Sequence, residues 1–152
     1  MLVMPDADIE QASDALIGAA YGSAGERCMA ISVAVAIGDS ADKLIENITP
    51  KINDIKVGPY NDKSSDMGPV VSKDAFDRIN GLIDSGIEEG ANLVVDRRDI
   101  KLQGYENGYF IGPCLFDNVK SNMKIYKEEI FGPVLSIVRA ENYEEGLKLL
   151  KN

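Results

Sequence analysis

Apolar residues recur along this chain with two alternating periods. From Asp8 to Tyr21 they fall at Ile9, Ala12, Leu16, Ala19 and Ala20, close to helical spacing, with Asp6 or Asp8 placed to cap the start and Gly22 to end it. Ala30 to Ile37 is a near-continuous run of small and β-branched residues, which predicts a strand covered on both faces. Asp42 to Asn53 carries Leu44, Ile45, Ile48 and Ile52 on one helical face, and Pro50 predicts that this helix stops or kinks near Thr49. A third helix, opened by Ser72 and running to Glu89, turns Phe76, Ile79, Leu82, Ile83 and Ile87 inward and closes at Gly90. Asn92 to Val95 reads as a short strand, and Tyr109–Ile111 with Leu115–Phe116 reads as a strand interrupted at Gly112-Pro113-Cys114. Ser121 to Lys127 predicts a helical turn, Val134 to Val138 a strand, and a last helix opens at Asn142. Strands and helices in alternation predict an α/β domain with a largely parallel sheet.

Between these elements the turn signals concentrate in one place. Val57 to Ser72 holds Gly58-Pro59, Asn61-Asp62, Ser64-Ser65 and Gly68-Pro69, so a long ordered loop is expected there, of a kind more often functional or partner-facing than idle. Asp96-Arg97-Arg98-Asp99 and Gly104–Gly108 suggest an exposed, charged excursion, with the arginine pair as solvated surface.

Charge and composition narrow the partners. A single domain accommodates 152 residues, and a net charge of −9 argues against a nucleic-acid surface or an anionic membrane face. No apolar run approaches the roughly 20 residues of a membrane span, and Met1 to Asp6 lacks a basic leader. The expectation is a cytoplasmic protein, or a mitochondrial-matrix one if the source is eukaryotic. Two distant cysteines make neither a disulfide framework nor a zinc cluster. The chain has no histidine, which removes every Ser-His and Cys-His mechanism and every His-ligated metal site within it.

What remains is a thiol. Gly22-Ser23-Ala24-Gly25-Glu26-Arg27-Cys28-Met29-Ala30 places a cysteine after two glycines three residues apart, which free the backbone for a tight or left-handed bend. A thiol attacks as thiolate, and a cationic neighbour such as Arg27, or a helix beginning near Cys28, favours that form. From these residues alone Cys28 is either such a nucleophile or a small buried apolar residue, and Cys114 reads as a core filler.

Gly25-Glu26-Arg27-Cys28-Met29-Ala30 resembles the nucleophile motif of the aldehyde dehydrogenase superfamily. Lys127-Glu128-Glu129-Ile130-Phe131-Gly132-Pro133-Val134 resembles that family's second signature, in the same order and about a hundred residues later. The methionine after the cysteine, and Gly104 to Pro113, are most similar to the acylating methylmalonate-semialdehyde dehydrogenase branch. The resemblance covers essentially the whole chain and implies part of that family's catalytic domain. It also implies that the family's N-terminal dinucleotide domain, oxyanion-stabilising asparagine and C-terminal oligomerisation arm lie outside these residues.

The resemblance further implies an NAD-dependent oxidation of malonate or methylmalonate semialdehyde through a Cys28 thioester, with coenzyme A as acyl acceptor, in a homo-oligomeric enzyme. It makes Arg27 the partner of the substrate carboxylate, Glu129 the acceptor of ribose hydroxyls and Phe131 a wall beside the nicotinamide ring. Read without it, Arg27 makes a surface ion pair, Glu129 caps a turn and Phe131 is core. The chain shows no G-x-G-x-x-G after a strand, so the dinucleotide would be bound mainly by other sequence. Three other functions remain open on sequence: an aldehyde dehydrogenase of another substrate class, a non-catalytic module that docks a partner, and a thiol redox sensor using Cys28.

Overall fold

Three β-branched or apolar runs that begin just after glycine- or serine-containing turns assemble side by side in the computed structural model, which describes residues 1–151. They are β2 (Val33–Ile37), β4 (Cys114–Asp117) and β5 (Val134–Ala140), and they run parallel, with β5 between the other two. A two-residue strand, β1 (Leu2–Val3), joins β2 in parallel, and β3 (Asn92–Val95) joins β4 antiparallel, so the five-stranded order is β1-β2-β5-β4-β3. The largely parallel α/β sheet is as expected.

Helices cover both faces. On β2, Val35 and Ile37 meet Gly146 of α5 (Tyr143–Lys151), so strand alternation turns Ala34 and Ala36 to the opposite side. There α1 (Ile9–Tyr21) and α2 (Ser40–Asp54) pack against each other and the sheet, and the two alanines let them come close. Phe116 shares the α5 face through the register Phe116–Ser136–Val33. It receives Gly86 of α3 (Lys73–Glu88), where a Cβ would lie 2.8 Å from Ile125 of α4 (Lys124–Lys127) and 3.1 Å from Phe116. The result is three layers around one core that includes Leu16, Leu44, Ile48, Ile79, Ile83 and Leu135. Among the described residues no helix is long and apolar enough to cross a membrane.

Local chemistry explains most boundaries. Asp8 accepts the Gln11 N–H at 3.0 Å and Ser72 accepts the Ala75 N–H at 3.1 Å, each satisfying an orphan donor of a first turn. Gly90 follows α3 with φ of +92°. Where the structure departs from the sequence expectation, a tertiary contact is the reason. α2 does not stop at Thr49 but continues through Pro50, because Pro50 is exposed while Leu44, Ile48 and Ile52 are fully buried on the other side. Its last carbonyls are satisfied from outside: the Arg97 guanidinium donates to Ile52 O at 2.8 Å and to Ile55 O at 3.0 Å. Arg97 is therefore a helix cap and not solvated surface, and Arg98 pairs with Asp96 and Asp84. Ile87 is 42% exposed, not inward-facing. Residues 30–32 lie before β2, and Tyr109–Ile111 forms no strand. The loop after Val57 is ordered by backbone hydrogen bonds from Gly58 to Met67 and from Asp66 and Met67 to Lys56.

A close backbone approach joins the two signature segments. A Cβ on Gly25 would fall 2.1 Å from the Gly132 carbonyl oxygen and 3.0 Å from that of Ala20, and Gly25 itself has φ of +70°. Gly132 is in turn covered by Ile79 of α3, 2.6 Å from where its own Cβ would be. Gly25→Ala thus meets both a backbone clash and a left-handed dihedral, and it should destabilise the fold by about 3 kcal/mol or more in urea unfolding. Gly18→Ala, in the exposed last turn of α1 with nothing within 4 Å of the new methyl, should be neutral or stabilising in the same assay.

Candidate active site

The turn after α1 is left-handed, but not through the residues its glycines suggest. Gly22 has φ of −54°, and the positive angles fall on Ser23 and Ala24, both +54°, and on Gly25. Three consecutive left-handed residues reverse the chain within one turn, with Glu26 N donating to Ser23 O at 3.0 Å. Two of these three carry side chains, so the turn stores strain that the Gly25–Gly132 apposition must hold. Tyr21, just before the turn, is anchored by its hydroxyl to Cys114 O at 3.0 Å in the core, where burial pushes the phenol well above its ordinary range.

Cys28 follows in a second turn closed by the Ala30 N–H on Arg27 O at 3.0 Å. Its thiol is exposed, which removes the reading of a small buried residue. The chain then runs extended into β2, so no helix N-terminus begins at the thiol, contrary to one of the two sources of activation expected. The other cysteine behaves as a core filler. Cys114 is fully buried, and desolvation raises its thiol to about 12.

Arg27 makes no ion pair among the described residues. Its Nη2 donates to Gly18 O at 2.9 Å, folding the guanidinium back over the C-terminal end of α1, where a cation is favoured. Glu26 turns the other way: its carboxylate accepts the Val71 N–H at 2.9 Å, tying the turn to the long loop. The second carboxylate oxygen of Glu26 is buried with no partner. Desolvation consequently raises this acid above the usual carboxylate range, against the opposing pull of the Val71 N–H and the charge of Arg78.

The second segment arrives from α4 as extended chain and reverses at Phe131, whose φ of +48° is left-handed for a bulky residue. The Glu129 carbonyl is held by Arg78 of α3, with Nη1 donating at 3.1 Å. The Glu129 carboxylate is exposed and has no hydrogen-bond or ion-pair partner among the described residues, so it caps no turn. Phe131 is half-buried rather than core. A small cavity of about 20 Å³, the size of one water, joins the two segments and is lined by Arg27, Ala30 and Ser32 on one side and by Glu129, Phe131 and Gly132 on the other. Cys28 stands between Arg27 and Ala30 but does not line it. A larger groove of about 490 Å³ along Val33, Tyr126 and Leu149 is lined by neither cysteine. Gly132 and Arg78 are the members of this site that sequence reasoning missed. Arg78 lies on the exposed side of an amphipathic helix, where no pattern distinguishes it from solvated charge.

All of this lies where β2 and β5 begin, with Ser32 O accepting the Ser136 N–H at 2.9 Å and Pro133 O accepting the Cys114 N–H at 2.9 Å. The arrangement offers an exposed thiol, a fixed guanidinium, an unpartnered carboxylate and an aromatic ring at one end of a sheet.

Residues 1–152 match the model of the aldehyde dehydrogenase family. The chain is 53% identical over 152 residues to a malonate-semialdehyde dehydrogenase of Pseudomonas aeruginosa, covering 99% of this chain and 31% of that protein. It is 44% identical to the human mitochondrial acylating methylmalonate-semialdehyde/malonate-semialdehyde dehydrogenase, covering 99% of this chain and 28% of that one. A crystal structure from Sinorhizobium meliloti, assigned as a methylmalonate-semialdehyde dehydrogenase and complexed with NAD, superposes with a TM-score of 0.96 at 66% identity over 98% of this chain and 30% of its own. A Staphylococcus aureus betaine aldehyde dehydrogenase in complex with NAD+ gives a TM-score of 0.93 at 30% identity over 97% of this chain and 29% of its own. The chain thus spans about 30% of the length of these relatives.

The contrast between the two thiols is directly measurable. Iodoacetamide at neutral pH should label Cys28 well before Cys114, as read by mass spectrometry of the peptides; equal labelling would mean that the turn does not hold Cys28 at the surface.

Proposed function

The chain belongs to the aldehyde dehydrogenase family, and on that premise we propose that it supplies the nucleophile and part of the cofactor site of an NAD-dependent, coenzyme A-acylating dehydrogenase of malonate and methylmalonate semialdehydes. The observation that carries the proposal is the meeting of the two segments: Arg27, Glu129 and Phe131 line one cavity beside the exposed Cys28. In this reading the residues are the partial catalytic domain of the longer protein, whose dinucleotide domain and oligomerisation arm are contributed by other sequence.

The residues present fit one end of a dinucleotide. Glu129 has an ionisable acceptor with no competing partner, suited to ribose hydroxyls, and Phe131 offers a ring whose strained backbone aims it at the cavity rather than into the core. NAD, when bound, accepts the hydride of the oxidation. The chain's own chemistry begins at Cys28, whose thiolate sulfur bonds the aldehyde carbon to form a thiohemiacetal, and loss of hydride from that carbon leaves a thioester on Cys28. A β-carboxylate departs as carbon dioxide, the carbon it leaves takes up a proton from water, and the acyl group passes from Cys28 to the thiolate of coenzyme A, which releases the Cys28 thiolate.

Arg27 is the residue that distinguishes a carboxylated aldehyde from a plain one. A guanidinium recognises a carboxylate through two parallel N–H bonds, and only Nη2 of Arg27 is engaged, on Gly18 O. In the full-length enzyme Arg27→Leu should raise KM for methylmalonate semialdehyde by about tenfold or more while changing KM for propanal little, since only the former loses a charged partner. Equal losses on both aldehydes would assign Arg27 to the upkeep of the turn instead.

Glu129 serves the cofactor and not the thiol. Glu129→Gln in the full-length enzyme should slow NADH formation while leaving the rate of Cys28 alkylation by iodoacetamide nearly unchanged. A parallel fall in both rates would count against the assignment.

A further inference from the structure

Two glycines one helical turn apart, Gly18 and Gly22, lie beneath the side chain of Arg27. Gly18 contributes its carbonyl, which accepts the guanidinium Nη2 at 2.9 Å. Gly22 contributes bare surface: a Cβ built on it would lie 3.2 Å from Nη2, 3.4 Å from Cζ and 3.8 Å from Nη1 of Arg27, and no other atom comes among its nearest contacts. The guanidinium therefore spreads over the Gly22 Cα. The backbone there does not ask for glycine, since φ of −54° and ψ of +132° are open to any L-residue. Nor does core packing, since the three atoms nearest the missing methyl all belong to the arginine head group.

Resting on the reading of Arg27 as the carboxylate partner, we propose that Gly22 is a specificity-determining position, a shelf that lets the Arg27 guanidinium lie against the end of α1. The Gly18 carbonyl and the Gly22 shelf fix the plane of the fork before substrate arrives, leaving Nε and Nη1 without partners among the described residues. Recognition of a carboxylate by a planar fork depends on that orientation, and a long flexible side chain held in advance loses less freedom on binding. A methyl at Gly22 would press on Nη2 at 3.2 Å and Cζ at 3.4 Å, so the guanidinium must move by a few tenths of an ångström. The soft end of the arginine gives way, which lengthens and tilts its bond to Gly18 O.

The test uses the full-length enzyme, with malonate semialdehyde and propanal compared in steady state. Gly22→Ala should raise KM for malonate semialdehyde by about tenfold, the worth of one charge-assisted hydrogen bond, with KM for propanal and both kcat values within about twofold. Gly81→Ala, on the exposed side of α3 with nothing within 4 Å of the new methyl, should leave both aldehydes unchanged. The double variant Gly22→Ala/Arg27→Leu should lose no more than Arg27→Leu alone, because the two substitutions remove one interaction. A discriminating Arg27→Leu beside a Gly22→Ala that affects both aldehydes equally, or neither, overturns the shelf and leaves Arg27 in place. An Arg27→Leu that does not discriminate overturns the reading of Arg27 and the shelf with it.

Discussion

The approach of Gly25 to the Gly132 carbonyl oxygen is the constraint on which the site depends. No side chain fits between those two backbones, so the signature segments are joined by main chain rather than by a salt bridge or a packed pair. Each is then held from a different side. Ile79 of α3 covers Gly132, Arg78 of the same helix fixes the Glu129 carbonyl, and Tyr21 anchors the end of α1 to Cys114 O on β4. The left-handed angles at Ser23, Ala24 and Phe131 persist because the surrounding structure leaves those residues no alternative.

Electrostatics follow from this frame. The thiol and the Glu129 carboxylate are exposed, while the polar groups that do structural work are buried and bonded: Asp117 on β4 accepts the Arg139 guanidinium, which also reaches Asp42 on α2 and is held charged by both. Glu26 lies between these classes, with one oxygen bonded to the Val71 N–H and the other buried alone. Its raised pKa means that the folded chain favours the acid form, so this residue costs stability as pH rises through its folded-state value.

The periodic elements were legible in the sequence because local chemistry decides them. The caps at Asp8 and Ser72 and the strand Asn92–Val95 follow from residues within a few positions of one another, and the alternation of strands and helices implies the parallel sheet. What could not be read depended on partners distant in sequence. α2 runs past Pro50 to an end that Arg97, more than forty residues after Ile52, caps through Ile52 O and Ile55 O, and Arg97 ceases to be surface for that reason. Arg27 reads locally as an activator of its neighbour, yet its guanidinium points back nine residues to Gly18. The two signature motifs named the family, but nothing in them said that a pair of glycines would be the joint between them, or that the site would lie where the parallel strands begin.

That joint has a consequence for the order of assembly. Gly25 and Gly132 are separated by most of the chain, and closing so long a loop costs conformational entropy before any contact within it is repaid. The helices and the β3–β4 pair can form from near neighbours, whereas the turn that presents Cys28 acquires its shape only when β5 enters the sheet between β2 and β4. The presentation of Cys28 is thereby coupled to the seating of β5, so a change that loosens the centre of the sheet also loosens the turn that holds the thiol.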